Sequence, residues 1–163
     1  MGIREEGLNY KGILYFGLIL VENFPYVLEF NCRFGDPETQ SQLPLLNTDL
    51  LDILEAIENN NVDKLQIQWK DKYAVTVILA SGGYPENYTT GFEITGLDKV
   101  KEALIFHSGT TFKDGKFYTS GGRVLGLTCL GDTVQQAREL VYSEIKKVQF
   151  ENMYYRKDIS VDG

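Results

Sequence analysis

The chain has 163 residues, 43% of them hydrophobic and 24% charged, with only four prolines, a composition that excludes collagenous, low-complexity and disordered sequence. At this length about 70% of the unfolded surface can be buried, so no disulfide or metal staple is needed to hold a core. Sixteen basic against twenty-three acidic residues give a net charge of -7 with no basic block, which argues against nucleic acid and an anionic membrane surface as partners.

The first nine residues are polar and helix-like (Ile3, Arg4, Glu5, Glu6) without a cap or a cleavable leader, so the chain reads as starting in the middle of a fold. Residues 13–21 form an apolar run broken only by Gly17. It is too short for a bilayer, which takes about 20 apolar residues as a helix, and it predicts a buried strand over 12–21. Glu22, Asn23, Phe24 and Pro25 read as a turn, and a second strand over 26–34 completes a hairpin. Gly35, Asp36 and Pro37 punctuate, with Pro37 suited to open a short helix running to Leu43. Leu50, Ile53, Leu54 and Ile57 recur at helical spacing after a cap at Asn47 or Thr48, and Asn59, Asn60 and Asn61 end that helix. Residues 59–68 then read as a linker.

Beyond it the texture is mostly strand. Runs over 73–80, 91–95 and 103–107 are followed by Thr111-Phe112 and Phe117-Tyr118 around Asp114-Gly115, a two-residue hairpin signal, and by a strand over 122–130. The last element is a helix over 133–148, with Val134, Ala137, Val141, Ile145 and Val148 on one stripe and Thr133 with Gln136 as a capping box. Cys32 and Cys129 sit in apolar runs without CxxC spacing, which predicts buried thiols in a reducing compartment and a cytoplasmic address. No internal repeat is present.

Alternation over 26–34 places Leu28, Phe30, Cys32 and Phe34 on one face and Val27, Glu29, Asn31 and Arg33 on the other. A carboxylate, an amide and a guanidinium on one face are costly to bury unless they meet each other or a ligand. Glu29 and Asn31 offer oxygens about 7 Å apart along a strand, a spacing that magnesium bridging to phosphates fills, and Arg33 can fork onto a phosphate. A solvent-facing strand with a Glu29–Arg33 pair accounts for the same pattern. Arg123 follows Ser120, Gly121 and Gly122, where glycine lets a ligand approach the backbone and the guanidinium takes an anion; a surface ion pair is the alternative. His107, the single histidine, reads as a structural imidazole, Gly82-Gly83-Tyr84-Pro85 as backbone punctuation, and Arg156-Lys157-Asp158 as a closing ion pair.

The string Leu28-Glu29-Phe30-Asn31-Cys32-Arg33-Phe34-Gly35-Asp36-Pro37-Glu38-Thr39-Gln40 resembles the end of the ATP-grasp domain in glycinamide ribonucleotide synthetase, also called phosphoribosylamine glycine ligase. Residues 10–18 are similar to the preceding strand of that family. Gly82-Gly83-Tyr84-Pro85, Phe106-His107-Ser108-Gly109-Thr110, the run from Thr119 to Gly126, and Tyr155-Arg156-Lys157-Asp158-Ile159 are similar to its later motifs, in order.

The resemblance covers essentially the whole chain and implies an α+β fold: residues 1–65 the C-terminal portion of an ATP-grasp domain, residues 66–163 a small, mostly antiparallel β domain with one long helix. It implies a ligase of purine biosynthesis in which ATP activates glycine as glycyl phosphate and the amine of phosphoribosylamine displaces the phosphate. Carried over by position, Glu29 and Asn31 are ligands for magnesium, or manganese, at the ATP phosphates, and Arg33 is the catalytic cation. Asp36 lies where a small charged substrate rests at the start of the Pro37 helix, and Ser120, Gly121 and Arg123 take the sugar phosphate. The sequence has no glycine-rich phosphate loop and no paired adenine-site lysines, so the expected partner is an N-terminal part of the same ligase, and the fragment alone is expected to be inactive. Another ATP-grasp ligase or carboxylase, and a non-catalytic phosphosugar-binding or assembly module, are the alternative readings.

Overall fold

The computed structural model describes residues 2–161, and the fold is α+β. The chain divides into two compact units, one running to Thr39 and resuming over Leu46–Lys70, the other comprising Gln40–Leu45 and everything from Asp71 onward. No helix among the described residues is long and apolar enough to cross a membrane.

The first unit opens with a short helix, α1 (Gly2–Glu5), and is built on an antiparallel hairpin of β1 (Tyr15–Val21) and β2 (Phe24–Asn31). Its turn is tighter than the four residues expected. Glu22 and Asn23 alone make it, at φ 49° and 65°, the left-handed geometry that matches the twist of two paired strands, and Phe24 and Pro25 join β2. The expectation of a buried first strand fails: along β1 only Gly17 is buried, while Leu18 is 53% and Leu20 68% exposed. Cys32 is likewise exposed rather than buried. A two-stranded ribbon has no second layer of its own to hide either face.

The helix α3 (Leu50–Glu58) is capped by Asp49, whose Oδ1 accepts from the Leu51 N–H at 2.8 Å. Thr48, one of the two expected caps, is engaged elsewhere, its Oγ1 accepting the Gln68 N–H at 2.8 Å. The Gln68 carbonyl in turn takes the amides of Asn47 and Thr48, and Leu46 bridges Trp69. The segment read as a linker is therefore stitched to the start of the helix and carries a 3-10 turn at Val62–Lys64.

The second unit contains a four-stranded antiparallel sheet ordered β5 (Leu104–His107), β8 (Arg123–Gly131), β3 (Tyr73–Ser81), β9 (Met153–Tyr154). A three-stranded sheet, β4 (Glu93–Ile94), β7 (Lys116–Thr119) and β6 (Thr110–Lys113), completes the strands. In the β6–β7 hairpin Asp114 and Gly115 adopt φ 49° and 79°, the two-residue turn predicted. Helix α4 (Val134–Ile145) lays Ala137, Val141 and Ile145 against Val75, Val77, Leu79 and Leu127, all essentially without exposure. On the sheet's other face Thr76 and Thr128 share a hydrogen bond of 2.7 Å, and the Thr128 hydroxyl donates to the Gln40 carbonyl at 2.9 Å. Gln40 belongs to the short helix α2 (Thr39–Gln42), which continues as a 3-10 turn, Leu43–Leu45.

Thr133 caps α4 as expected, accepting from the Gln136 N–H at 3.1 Å, but the Gln136 side chain reaches back to the amide of Asp132, one residue before the usual partner. The helix stops at Ile145, three residues short of the predicted end, because the chain turns there to pair Gln149 with Thr95 through two backbone hydrogen bonds.

Candidate active site

The polar face of β2 belongs to the first unit. Glu29 and Asn31 point the same way, since the Asn31 Nδ2 donates to the Glu29 Oε1 at 2.9 Å. That bond leaves the Asn31 carbonyl oxygen and the second Glu29 oxygen as acceptors. Glu29 stands opposite Gly17, and a Cβ there would come within 3.0 Å of the Glu29 Cγ, so glycine is what admits the carboxylate stem. Simple alternation fails at Val27. The ladder shifts between Gly17 and Leu18, making Leu28 an extra residue, so Val27 pairs with Leu18 and faces away from Glu29.

Arg33 lies two residues beyond the last residue of β2, its Nη1 donating to the Phe34 carbonyl at 2.7 Å. Among the described residues Glu29 meets Asn31 and Arg33 meets the Phe34 carbonyl, in place of the alternative Glu29–Arg33 pair. Asp36 sits in a turn, and the helix expected from Pro37 instead starts at Thr39 and runs four residues. The Gly35 carbonyl takes both the Thr39 amide and its hydroxyl, which consumes the amide that a substrate at the helix start would have used. No helix therefore starts at Pro37, and the short helix that follows begins at Thr39.

Sequence reasoning missed Glu38 and Tyr15. Partial burial raises the pKa of the Tyr15 phenol, and the Glu38 carboxylate raises it further, as does Glu29 more weakly. Tyr15 is the ladder partner of Asn31. The signal was in the same string, where Glu38 follows Asp36-Pro37, but nothing in a strand pattern reaches across a turn.

The donor set is hard oxygen, suited to magnesium or manganese. Among the described residues no group of three or more His, Cys, Asp and Glu is placed to hold a metal. An open recess of about 1010 Å³ lined by Leu8, Tyr10, Leu14, Phe16 and Phe30 adjoins the hairpin, and neither Glu29 nor Asn31 lines it.

The second candidate group lies in the second unit. Ser120, Gly121 and Gly122 precede Arg123, the first residue of β8, which pairs with Ala80 where the ladder shifts register. His107 at the end of β5 packs its ring on Phe117 at 4.5 Å with Nδ1 2.9 Å from the Thr110 hydroxyl, and desolvation lowers its pKa. Arg156 and Asp158 form the closing pair expected, with two hydrogen bonds of 3.0 and 2.7 Å.

Comparison with known proteins places these residues in context. Residues 74–162 match the C domain of phosphoribosylglycinamide synthetase, and residues 1–39 match its ATP-grasp (A) domain. The chain is 58% identical over 158 residues to a phosphoribosylamine–glycine ligase of Caldanaerobacter subterraneus, covering 97% of this chain and 38% of that protein. It is 47% identical to the trifunctional purine biosynthetic protein adenosine-3 of Gallus gallus, covering 97% of this chain and 16% of that protein. The crystal structure of phosphoribosylamine–glycine ligase from Thermotoga maritima superposes with a TM-score of 0.85 at 39% identity, covering 98% of this chain and 39% of that one. The chain thus spans well under half the length of each of these relatives.

Proposed function

Because the chain belongs to the phosphoribosylglycinamide synthetase family, we propose that it is the C-terminal part of a ligase that joins glycine to phosphoribosylamine at the expense of ATP. In this reading a glycine carboxylate oxygen attacks the γ-phosphorus and ADP leaves. The amine nitrogen of phosphoribosylamine then attacks the glycyl carbonyl carbon, expels phosphate and loses a proton, giving glycinamide ribonucleotide. Residues 1–65 finish the ATP-grasp domain and residues 66–163 form the C-terminal domain, in a cytoplasmic enzyme whose remaining length supplies the rest of the nucleotide clamp.

Glu29 and Asn31 hold magnesium, or manganese, at the ATP phosphates; the cation, when bound, neutralises charge gathering on the transferred phosphoryl group. The bond between them holds the two side chains together and leaves one oxygen of each as an acceptor, so they meet the cation as a pair. Arg33 serves as the cation for the acyl phosphate by exchanging its bond to the Phe34 carbonyl for two to a phosphoryl oxygen pair. Asp36 lies near enough in sequence to meet a small cationic substrate group, independently of any helix. Ser120, Gly121 and Arg123 take the phosphate of phosphoribosylamine.

The observation that carries the reading is the preset Glu29–Asn31 oxygen pair. Its test is Glu29→Gln in the intact ligase. Turnover should fall by a factor of about 100 or more, as for loss of a charged group acting on developing charge, with folding retained because Glu29 is solvent-exposed. Wild-type turnover at saturating magnesium would remove Glu29 from the metal site.

A further inference from the structure

Two motifs remain outside the site just described. The ends of β3 and β5 bring Gly82-Gly83-Tyr84 and Ser108-Gly109 against the Ser120-to-Arg123 run, all within the second unit. The Ser120 N–H donates to the Gly109 carbonyl at 2.7 Å, and the Gly109 N–H to the Arg123 carbonyl at 2.8 Å. Ser81, itself only 2% exposed, takes both carbonyls of the glycine pair: its Oγ donates to Gly121 at 2.9 Å and its N–H to Gly122 at 2.8 Å.

With their carbonyls committed, Gly121 and Gly122 have only N–H groups left to offer. Neither amide meets an acceptor among the described residues, although Gly122 is buried. Buried backbone donors without partners are rare, and two successive free amides beside an arginine make a donor concavity that selects an anion. The ring of Tyr84 closes this run. A Cβ on Gly122 would collide with the ring's Cδ2, the phenol is braced edge-on by Tyr88 at 5.9 Å, and its hydroxyl bonds no group among the described residues.

We propose that Tyr84 is a substrate-binding residue, its ring seated on Gly122 and its hydroxyl donating, with the Gly121 and Gly122 amides, to the phosphate of the phosphosugar amine. Gly122 is glycine because the ring needs its place. The proposal rests on the ligase reading above, and the measurement separates the two. In the intact ligase, Tyr84→Phe removes one oxygen and keeps the ring. The Michaelis constant for phosphoribosylamine should rise about tenfold, the size of one lost hydrogen bond to a charged group, with kcat and the constants for ATP and glycine within about twofold. Gly122→Ala, which pushes the ring aside, should raise the same constant at least as far, with thermal melting followed for both variants. Arg123→Ala is the internal reference. A Tyr84→Phe enzyme with the wild-type constant for phosphoribosylamine, in an assay where Arg123→Ala raises it, overturns the role of Tyr84 alone. If Arg123→Ala leaves the constant unmoved as well, the phosphosugar reading of the whole run falls with it. A change confined to the ATP constant would move Tyr84 to the nucleotide site and overturn the proposal too.

Discussion

Glu29 spends one carboxylate oxygen on the Asn31 amide and keeps the other, and that division makes a specific demand of substitution. Asn31→Asp should put two like charges in contact, weakening turnover at low magnesium and recovering as the cation is raised, whereas Asn31→Ala should lose activity at every concentration. A titration of rate against magnesium for the two variants separates these outcomes, and identical curves would mean that Asn31 meets no metal. The cysteines make a different contrast. Cys129 is buried, donates to the Glu102 carbonyl at 3.5 Å, and has its thiol pushed up to about 11, by burial first and by the Glu144 and Glu102 charges next. Cys32 is exposed. Since the thiolate is the nucleophile, a maleimide at pH 8 should modify Cys32 alone in the folded chain and both residues only after unfolding, as mass spectrometry would show. That Glu29 and Asn31 share a face was legible because a strand's alternation puts every second side chain on one side. The place of Val27 and the exposure of Cys32 were not, since a one-residue bulge and the absence of a covering layer are properties of partners that a single strand does not encode.

At the scale of elements, the helix α4 carries both a cap and a buried charge. Removing the cap with Thr133→Ala should cost about 1 kcal/mol, readable in chemical denaturation, because the Gln136 amide loses its acceptor. Glu144 is 2% exposed yet accepts from the Lys101 N–H at 2.8 Å and from the Lys147 ammonium at 2.6 Å. Burial alone would raise its pKa, but the Lys147 bond and the amides of Lys101 and Glu102 outweigh it and hold the carboxyl below the ordinary glutamate value. The folded state therefore binds this proton less readily than the unfolded one. The resulting stability is fully present above the unfolded pKa of about 4.3 and is lost as pH falls through the lower folded pKa. Glu144→Gln should flatten that acid-side slope in a set of melts between pH 3 and pH 6, about the range around that value, and an unchanged slope would assign the acid sensitivity elsewhere. Thr133 and the stripe on α4 were readable because a cap and a 3.6-residue period are local. Choosing Asp49 over Thr48 as the cap of α3 was not, since the competitor that occupies Thr48 is Gln68, twenty positions away.

For the molecule as a whole, the second unit owns the apolar core and the first does not. The buried cluster runs from Val75 to Phe150 without a member from the hairpin, whereas Phe16, Leu18, Leu20, Phe24, Leu28 and Phe30 are each between 49% and 68% exposed. So large an apolar surface on a two-stranded ribbon, with unpaired edges, favours association with further protein, and in a solution of this chain alone the available protein is another copy. Sedimentation velocity should show concentration-dependent self-association, and the double change Leu20→Lys with Leu28→Lys should return the chain to monomer while leaving the melting of the second unit unaltered. A wild-type chain that stays monomeric at every concentration would show that the exposed hairpin faces do not drive association. Ligation should fail in the same sample for an independent reason. Glu29 and Asn31 bring two oxygen donors where magnesium takes six, so the cation is held only if nucleotide phosphates are positioned at the same point, and that positioning is the part of the barrier that orientation ordinarily supplies. The chain covers 38% of the length of the Caldanaerobacter ligase. Glycinamide ribonucleotide should therefore be undetectable when the purified chain is incubated with ATP, magnesium, glycine and phosphoribosylamine, for the monomeric double variant as much as for the associating parent; turnover by either would show that these residues position the phosphates unaided.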